Sequence, residues 1–380
     1  RIFNPFGRNV RRFWQYITGF GRQTRRAHNK SYTVDNLATI LGGRNIGDEY
    51  FERDPQLAFQ DLDILALGPV AREVSASFDR YWNHKLSYPI GSLLENRPTP
   101  EDYLHVRRMH EQRAEELMDS VYLERLRNSE LARQLSSGQI RFTWAKGEVF
   151  ADDPNKLLQA TDVSKSWMIQ DLVPYLESAR KELILISPYF VPGKKGVAFF
   201  RKLIDRGVKV RILTNSLAST DVTVVHAGYA RYRRTLLRMG VELWELNKIT
   251  SDEERKAMRE GYLGKPKSSL HAKAFVVDRK TLFIGSMNFD PRSVIQNTEI
   301  GVVIETPVLA RKVAETFDRR VVEEAFRVEL LSDAVIGQEK LLWHGQIGGR
   351  QVTLETEPYS GIWRRLGILL MMWLPMVSQI

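Results

Sequence analysis

Two stretches of this chain carry the same five distinctive residues at the same spacing. The first holds His28, Lys30, Asp35, Gly42 and Asn45. The second, displaced by 243 positions, holds His271, Lys273, Asp278, Gly285 and Asn288. No insertion or deletion separates the copies, and apolar positions repeat between them, Val34 with Val277 and Ile40 with Phe283. An imidazole is a competent nucleophile at phosphorus and a proton donor or acceptor near neutrality. A lysine ammonium and an asparagine amide stabilise an oxygen anion. Each copy therefore offers half of a site for a phosphodiester. A lone His-x-Lys says little, whereas an in-register duplicate of the whole set is specific.

The spacing also dictates what must position these groups. HAKAF and AFVVD predict a strand, in which residues i and i+2 share a face. His271 would then stand beside Lys273, and His28 beside Lys30. A tight turn at Asp278-Arg279-Lys280, or at Asp35-Asn36, returns an antiparallel strand, TLFIG or LATIL. That strand delivers Gly285-Ser286-x-Asn288, or Gly42-Gly43-x-Asn45, to the end where the His and Lys lie. Glycine there permits close backbone approach to a ligand. Asp35 and Asp278 are expected to hold the turns and not to touch substrate. Two such half-sites, joined about a pseudo-twofold axis, form a pocket for one phosphodiester.

After each copy a carboxylate opens the next apolar strand, Asp63 in DILALGPVA and Glu299 in EIGVVIETP. A carboxylate on one imidazole nitrogen fixes the tautomer and stabilises imidazolium. Asp63 and Glu299 are therefore expected to orient the histidines. Both copies continue into similar helices, VAREVSASFDRYW and VLARKVAETFDRR, so the repeat is longer than the motif.

The pattern H-x-K-x4-D-x6-G-[GS]-x-N, present twice, resembles the signature of the phospholipase D superfamily. SPYFVPG (187–193), RGVKVRILTNS (206–216), GVELWEL (240–246) and the terminal EPYSGIWRRLGILLMMWLP are similar to the bacterial cardiolipin synthases, nearest to the C-type. The resemblance covers most of the chain. It implies two α/β/α sandwich halves related by pseudo-twofold symmetry and a phosphatidyltransferase that works through a phosphohistidine. His28 would be the nucleophile and His271 the acid and base, with Lys30, Lys273, Asn45 and Asn288 around the phosphoryl oxygens. The symmetry of the motif leaves that order of the two histidines open. The implied acceptor is phosphatidylglycerol, and the donor a second phosphatidylglycerol or phosphatidylethanolamine. Hydrolysis of phospholipid or nucleic acid by a phospholipase D-type phosphodiesterase or nuclease is the alternative, which the motif alone does not separate from transfer.

Composition narrows the field. Among 380 residues there is no cysteine, so neither a disulfide framework nor a thiolate metal site exists. No HExxH motif or carboxylate cluster suggests a metal, and no cofactor is expected. The net charge of +10 favours an anionic partner. An anionic membrane surface suits it, and the apolar, tryptophan-bearing carboxy-terminal segment argues against nucleic acid as the partner.

The chain reads as three parts. Residues 1–135 form a first phospholipase D-like half with a helical connector from Pro98 to about Ser136. Thr99 is placed to cap that connector's helix, with Pro100 at its first position. Residues 136–335 form the second such domain, where 165–246 alternates helix and strand and predicts a largely parallel sheet. Residues 336–380 form an apolar tail. The first half has no counterpart of 165–246, so it is incomplete at its amino terminus and its independent folding is in doubt. Arg1 is not an initiator methionine, and a fragment of a longer chain is expected. Seven arginines and no acidic residue precede His28, among many aromatics, which suits an interfacial segment. The apolar run Leu366–Val377 is too short to span about 30 Å of hydrocarbon. It is expected to lie on the cytoplasmic side of the bacterial inner membrane as a peripheral or monotopic element.

Overall fold

The computed structural model describes residues 1–5, 25–51, 57–94, 96–118, 121–158, 167–247, 267–332 and 339–372. Most of the basic amino-terminal segment and the charged stretch at 248–266 lie outside the described residues. The first half contains β1 (Ser31–Val34), β2 (Ala38–Gly42), β3 (Leu57–Gln60), β4 (Asp63–Leu67) and α1 (Pro69–Trp82). β1, β2 and β4 form a three-stranded antiparallel sheet in that order. The connector carries α2 (Pro100–Met118), none of whose residues is buried. At its start the Thr99 N–H donates to Asp102 Oδ2 at 2.8 Å, and the Asp102 N–H donates back to Thr99 Oγ1 at 3.2 Å. This is a reciprocal cap of the kind that Thr99 predicts.

The second half runs through β5 (Lys146–Ala151), α3 (Met168–Glu177), β6 (Glu182–Ile186), α4 (Gly193–Asp205), β7 (Lys209–Asn215), α5 (Thr223–Arg238) and β8 (Glu242–Leu246). It continues with β9 (Lys267–Leu270), β10 (Ala274–Val277), β11 (Thr281–Gly285), β12 (Ile300–Glu305), α6 (Pro307–Glu324), β13 (Ala325–Ser332), β14 (Glu339–Ile347), β15 (Arg350–Leu354) and α7 (Ile362–Met371). Ten of these strands make one sheet, in the order β15-β14-β13-β8-β7-β6-β10-β11-β12-β5.

Strand alternation explains the layering. Leu183 and Leu185 of β6 pack with Leu172 of α3, Phe200 of α4 and Tyr229 of α5. Ile184 and Ile186 point the other way, onto Ala310, Ala314 and Phe317 of α6. A strand apolar on both faces is the mark of a sheet covered on both sides. Only β6, β7 and β8 run parallel, however. The sheet is mixed, not largely parallel, because the strands that flank these three, β10 beside β6 and β13 beside β8, both pair antiparallel. Residues 339–354, expected as the start of a tail, are also part of it. β14 and β15 are joined at Gly348-Gly349, both left-handed, in a two-residue hairpin loop.

The halves meet through Leu41 and Ile64, which pack with Ile300, Val302 and Ile304. They also exchange backbone pairing. Ala27 bridges Thr298 in parallel, and β9 pairs in parallel with β3. The His28 N–H donates to Thr298 O at 2.9 Å, and the His271 N–H donates to Gln60 O at 2.8 Å. Each motif histidine is thus held by the run that precedes the other half's next strand.

Candidate active site

The two motif hairpins have the same turn. Asp35 and Asn36 have φ of 51° and 55°, and Asp278 and Arg279 have 50° and 54°. Two consecutive left-handed residues close each hairpin in the way that favours Asp and Asn. The Asp278 carboxylate accepts from the N–H groups of Arg180, Lys181 and Glu182, which ties the turn to the start of β6. Asp35 is exposed. Both aspartates stand at the far end of their hairpins from the histidines.

At the near end the glycines are needed for close approach. A Cβ on Gly42 would meet Leu62 O at 2.7 Å, and one on Gly285 would meet Ile300 O at 2.5 Å. The next strand runs too close for any side chain. His28 and Lys30, like His271 and Lys273, lie in extended segments just before β1 and β10, not within them. In both copies the lysine turns back to its own histidine: Lys30 Nζ donates to His28 O at 2.7 Å and Lys273 Nζ to His271 O at 2.5 Å.

The carboxylates are exchanged between halves. His28 Nδ1 lies 2.8 Å from Glu299 Oε2, and His271 Nδ1 lies 2.7 Å from Asp61 Oδ2. The expectation for Asp63 is therefore corrected. Its carboxylate accepts from Arg44 Nε at 2.6 Å and does not meet a histidine. Strand register gives the reason. Gly42 pairs with Asp63 and Gly285 with Gly301, so the residue level with Glu299 is Asp61, two positions earlier. Asp61-Leu62-Asp63 offers two carboxylates of the same parity, and the one that opens the strand is the wrong one. Spacing gives no guide, because Asp61 follows Asn45 by 16 positions, whereas Glu299 follows Asn288 by 11.

Burial sets the electrostatics. It lowers the His28 imidazole below its ordinary value against the opposing pull of Glu299. It lowers His271 to about 4 despite the hydrogen bond to Asp61. Burial likewise lowers Lys30 to about 8 and Lys273 to about 7. Burial pushes Glu299 up, but His28, Lys30 and a hydrogen bond from Ser286 outweigh it and hold the carboxylate below its usual range. With a carboxylate accepting at each Nδ1, each imidazole turns Nε2 toward the site as a lone pair. Lys30 also acts on His271, and Lys273 on His28, so the four groups share one field.

Around these residues the halves differ. Ser286 Oγ donates to Glu299 Oε2 at 2.5 Å and accepts from the Ile300 N–H at 3.0 Å. At the equivalent Gly43 a Cβ would meet Asp61 Oδ1 at 2.5 Å, so the shorter carboxylate occupies that space itself. Asp152, buried against Lys156 at 2.8 Å, accepts from the Glu299 N–H at 3.0 Å and fixes that residue from behind. Asn288 is buried, and its Oδ1 has no hydrogen-bond partner among the described residues. Asn45 instead donates to the hydroxyl of Tyr50 at 2.6 Å, and that hydroxyl lies 3.3 Å from His271 Nε2.

Asp61, Asp152 and Tyr50 escaped the reading of the sequence. Asp61 was within reach, as one of two acids opening the strand. Tyr50 sits in the stretch that the first copy has and the second lacks, where the repeat gives no guide. Among the described residues no three His, Asp or Glu side chains cluster as a metal site.

A family model described as cardiolipin synthase, PLD-like domain, matches residues 172–321. Cardiolipin synthase C of Escherichia coli K12 is 40% identical over 376 residues, which span 99% of this chain and 77% of that protein. The chain belongs to the phospholipase D superfamily, among its cardiolipin synthases. It is accordingly an enzyme, a phosphatidyltransferase of the phospholipase D type. An uncharacterised protein of Helicobacter pylori is 32% identical over 368 residues, 96% of this chain and 70% of its own length. Among solved structures, phosphatidylserine synthase of Haemophilus influenzae aligns with TM-score 0.51 at 14% identity. It covers 81% of this chain and 64% of that one, a likeness of fold alone.

Proposed function

We propose that the chain makes cardiolipin by transferring a phosphatidyl group to phosphatidylglycerol through a phosphohistidine on His28. The observation that carries this reading is the crosswise pairing of each imidazole with the other half's buried carboxylate. Glu299 holds the His28 Nδ1–H, which leaves Nε2 free to attack phosphorus. The P–O bond to the departing headgroup alcohol, glycerol or ethanolamine according to the donor, breaks as the P–N bond forms. His271, charged as the anionic phosphodiester enters and supported by Asp61, gives its proton to the departing oxygen. It then takes the proton of the acceptor hydroxyl as that oxygen displaces His28. Lys30, Lys273, Asn45 and Asn288 stabilise charge on the phosphoryl oxygens, the task that metal ions perform in other phosphoryl-transfer sites. The donor is phosphatidylglycerol or phosphatidylethanolamine.

Work at the cytoplasmic face of the bacterial inner membrane is supported by α7. No described helix is long and apolar enough to cross a membrane. Yet Ile362, Trp363, Leu366, Leu369 and Leu370 of α7 are all exposed, an apolar strip at helical spacing beside half-buried Arg364 and Arg365.

The test is mass spectrometry of lipids after incubation with phosphatidylglycerol and phosphatidylethanolamine that carry distinct acyl chains, with and without EDTA. Cardiolipin whose chains report the donor is the expected product, unaffected by the chelator. Phosphatidic acid alone would mark a hydrolase, and nicked plasmid without lipid turnover a nuclease. Acid-labile, base-stable label on His28 after quenching is the expected sign of the intermediate.

A further inference from the structure

The run from Asn45 to Asp61 is five positions longer than the run from Asn288 to Glu299, and it uses the extra length to place an aromatic ring on the other half's histidine. A short helical turn, Asp48–Tyr50, ends at Tyr50, which is 6% exposed. The Tyr50 ring stands edge-on to His271, with centroids 4.9 Å apart. Its hydroxyl accepts from Asn45 Nδ2 at 2.6 Å and lies 3.3 Å from His271 Nε2. Burial pushes that hydroxyl up to about 12, so near neutrality it is a phenol with a proton to donate. Asp61 takes the Nδ1 side of His271, so Nε2 is the acceptor. The protein has therefore set an alcohol on the general base, steadied by one of the amides proposed to hold phosphoryl oxygens. In the second copy the run after Asn288 holds instead a short helix capped by Asp290, whose carboxylate accepts from the Ser293 N–H.

We infer that Tyr50 is a specificity-determining residue, whose hydroxyl occupies the acceptor's place on His271 Nε2 and yields it to a lipid alcohol but not to water. The inference rests on the transferase reading. Once the phosphatidyl group is on His28, two acceptors compete for one step. The P–N bond breaks, a P–O bond forms to the incoming oxygen, and that oxygen's proton passes to His271 Nε2. With phosphatidylglycerol the product is cardiolipin; with water it is phosphatidic acid. Either acceptor must displace the phenol from the hydrogen bonds with Asn45 and His271. A lipid alcohol draws on the binding of the rest of its molecule to do so, and water has no such remote binding to draw on. Transfer in the presence of bulk water needs some such bias, and the Tyr50 hydroxyl lies against the base at Nε2.

The full chain, in mixed micelles of phosphatidylglycerol and non-ionic detergent, gives both products for quantitation by mass spectrometry, with H2(18)O marking the hydrolytic one. Tyr50→Phe keeps the ring and removes the hydroxyl. The ratio of phosphatidic acid to cardiolipin should rise about fivefold, the factor that one hydrogen bond is typically worth, and further in Tyr50→Leu. The ratio is read only from molecules that turn over, so loss of folded protein does not imitate the effect. An unchanged ratio in both variants, whether total turnover holds or falls, would overturn the inference and leave Tyr50 as packing or positioning. A wild type that yields neither product would overturn the transferase reading, and this inference with it.

Discussion

The two half-sites carry the same residues on very different supports. His271 and Lys273 lie under a ten-stranded sheet covered on both faces, and the His271 side chain is 6% exposed. His28 and Lys30 lead into a sheet of three described strands, and the His28 side chain is 25% exposed. β10 has β6 as a neighbour on its outer side, whereas β1 pairs only with β2 among the described strands, and Tyr32 and Val34 on it are exposed. Despite this the geometry at the imidazoles is the same to within 0.1 Å, 2.8 against 2.7 Å at Nδ1. The difference teaches that neither site is built by its own half. Each histidine is set by the other half's carboxylate and by backbone pairing across the axis. The slighter half therefore borrows order from the larger one.

The largest effect should come from the histidines and should be equal despite their unequal burial. His28→Ala and His271→Ala are each expected to lower cardiolipin formation by on the order of 10⁴-fold, as loss of a nucleophile or its proton partner does elsewhere. A variant that kept a tenth of the wild-type rate would break the symmetry between the half-sites and the paired-imidazole reading with it.

The exchanged carboxylates come next. Asp61→Asn and Glu299→Gln keep shape but lose the charge that holds imidazolium, and each should cost on the order of 10² to 10⁴-fold in kcat. Asp63→Asn loses only the partly exposed pair with Arg44, a contact worth about 1 kcal/mol or less, and should stay within about fivefold. The reverse order, with Asp63 costly and Asp61 silent, would put the orienting group at the residue that opens the strand, as the sequence alone suggests.

That contrast marks the limit of what was legible in the sequence. The duplicate exposes the residues proposed to surround the phosphoryl group, because types and spacing are copied together. It exposes the turns as well, since only a few residue types accept two left-handed positions in succession. It does not expose the exchange between halves. A twofold arrangement looks identical in sequence whether a carboxylate serves its own half or the other. Residues 339–354 were hidden for a different reason. Their alternation, LLWHGQI and then RQVTL around Gly-Gly, is a hairpin pattern, but the more apolar stretch after it drew the whole segment into one tail. The mixed sheet follows from the antiparallel strands β10 and β13 that flank the parallel three, which helix–strand alternation in 165–246 says nothing about.

Acidity should sharpen the comparison. In the empty site Lys30 and Lys273 hold their protons only up to about 8 and about 7. Both values lie below that of a free lysine, so the charge is present at low pH and is lost as pH rises through them. The imidazoles behave in the same direction at lower pH: His271 stays neutral down to about 4 and is charged only below it. The free-enzyme profile, kcat/KM, should therefore fall on the alkaline side between about pH 7 and 8 as the ammoniums discharge. It should fall on the acid side as the imidazoles fill. A bound phosphodiester anion favours the charged lysines, so the alkaline limb of kcat should sit higher, by about one unit or more. Coincident alkaline limbs in the two profiles would show that the ammoniums do not face the substrate.

The smallest effects belong to α7, where two faces of one helix can be set against each other. Ile368 is 5% exposed and packs on Leu217 and Ala227. Leu217 follows closely on Asn215, whose side-chain amide brackets the backbone of Leu270, the residue before His271, at 2.9 and 3.0 Å. The helix is therefore docked beside the catalytic end of the sheet, and its other face is bare, with Leu370 73% and Trp363 83% exposed. One face of the helix is thus docked within the chain and the other is exposed; residues 373–380 of the carboxy-terminal segment lie outside the described residues. Leu366→Ser and Leu370→Ser should each weaken sedimentation with phosphatidylglycerol vesicles by about three- to tenfold, since only part of a leucine's ~1.5–3 kcal/mol remains to be gained on insertion. Hydrolysis of a short-chain, soluble phosphodiester should be unchanged in both. Ile368→Ser should do the opposite, lowering the melting temperature through a polar group set in the α5–α7 contact while sparing vesicle binding of the folded fraction. Exposed-face variants that sediment like wild type would mean that lipid meets this enzyme elsewhere and that the bare strip of α7 has another use.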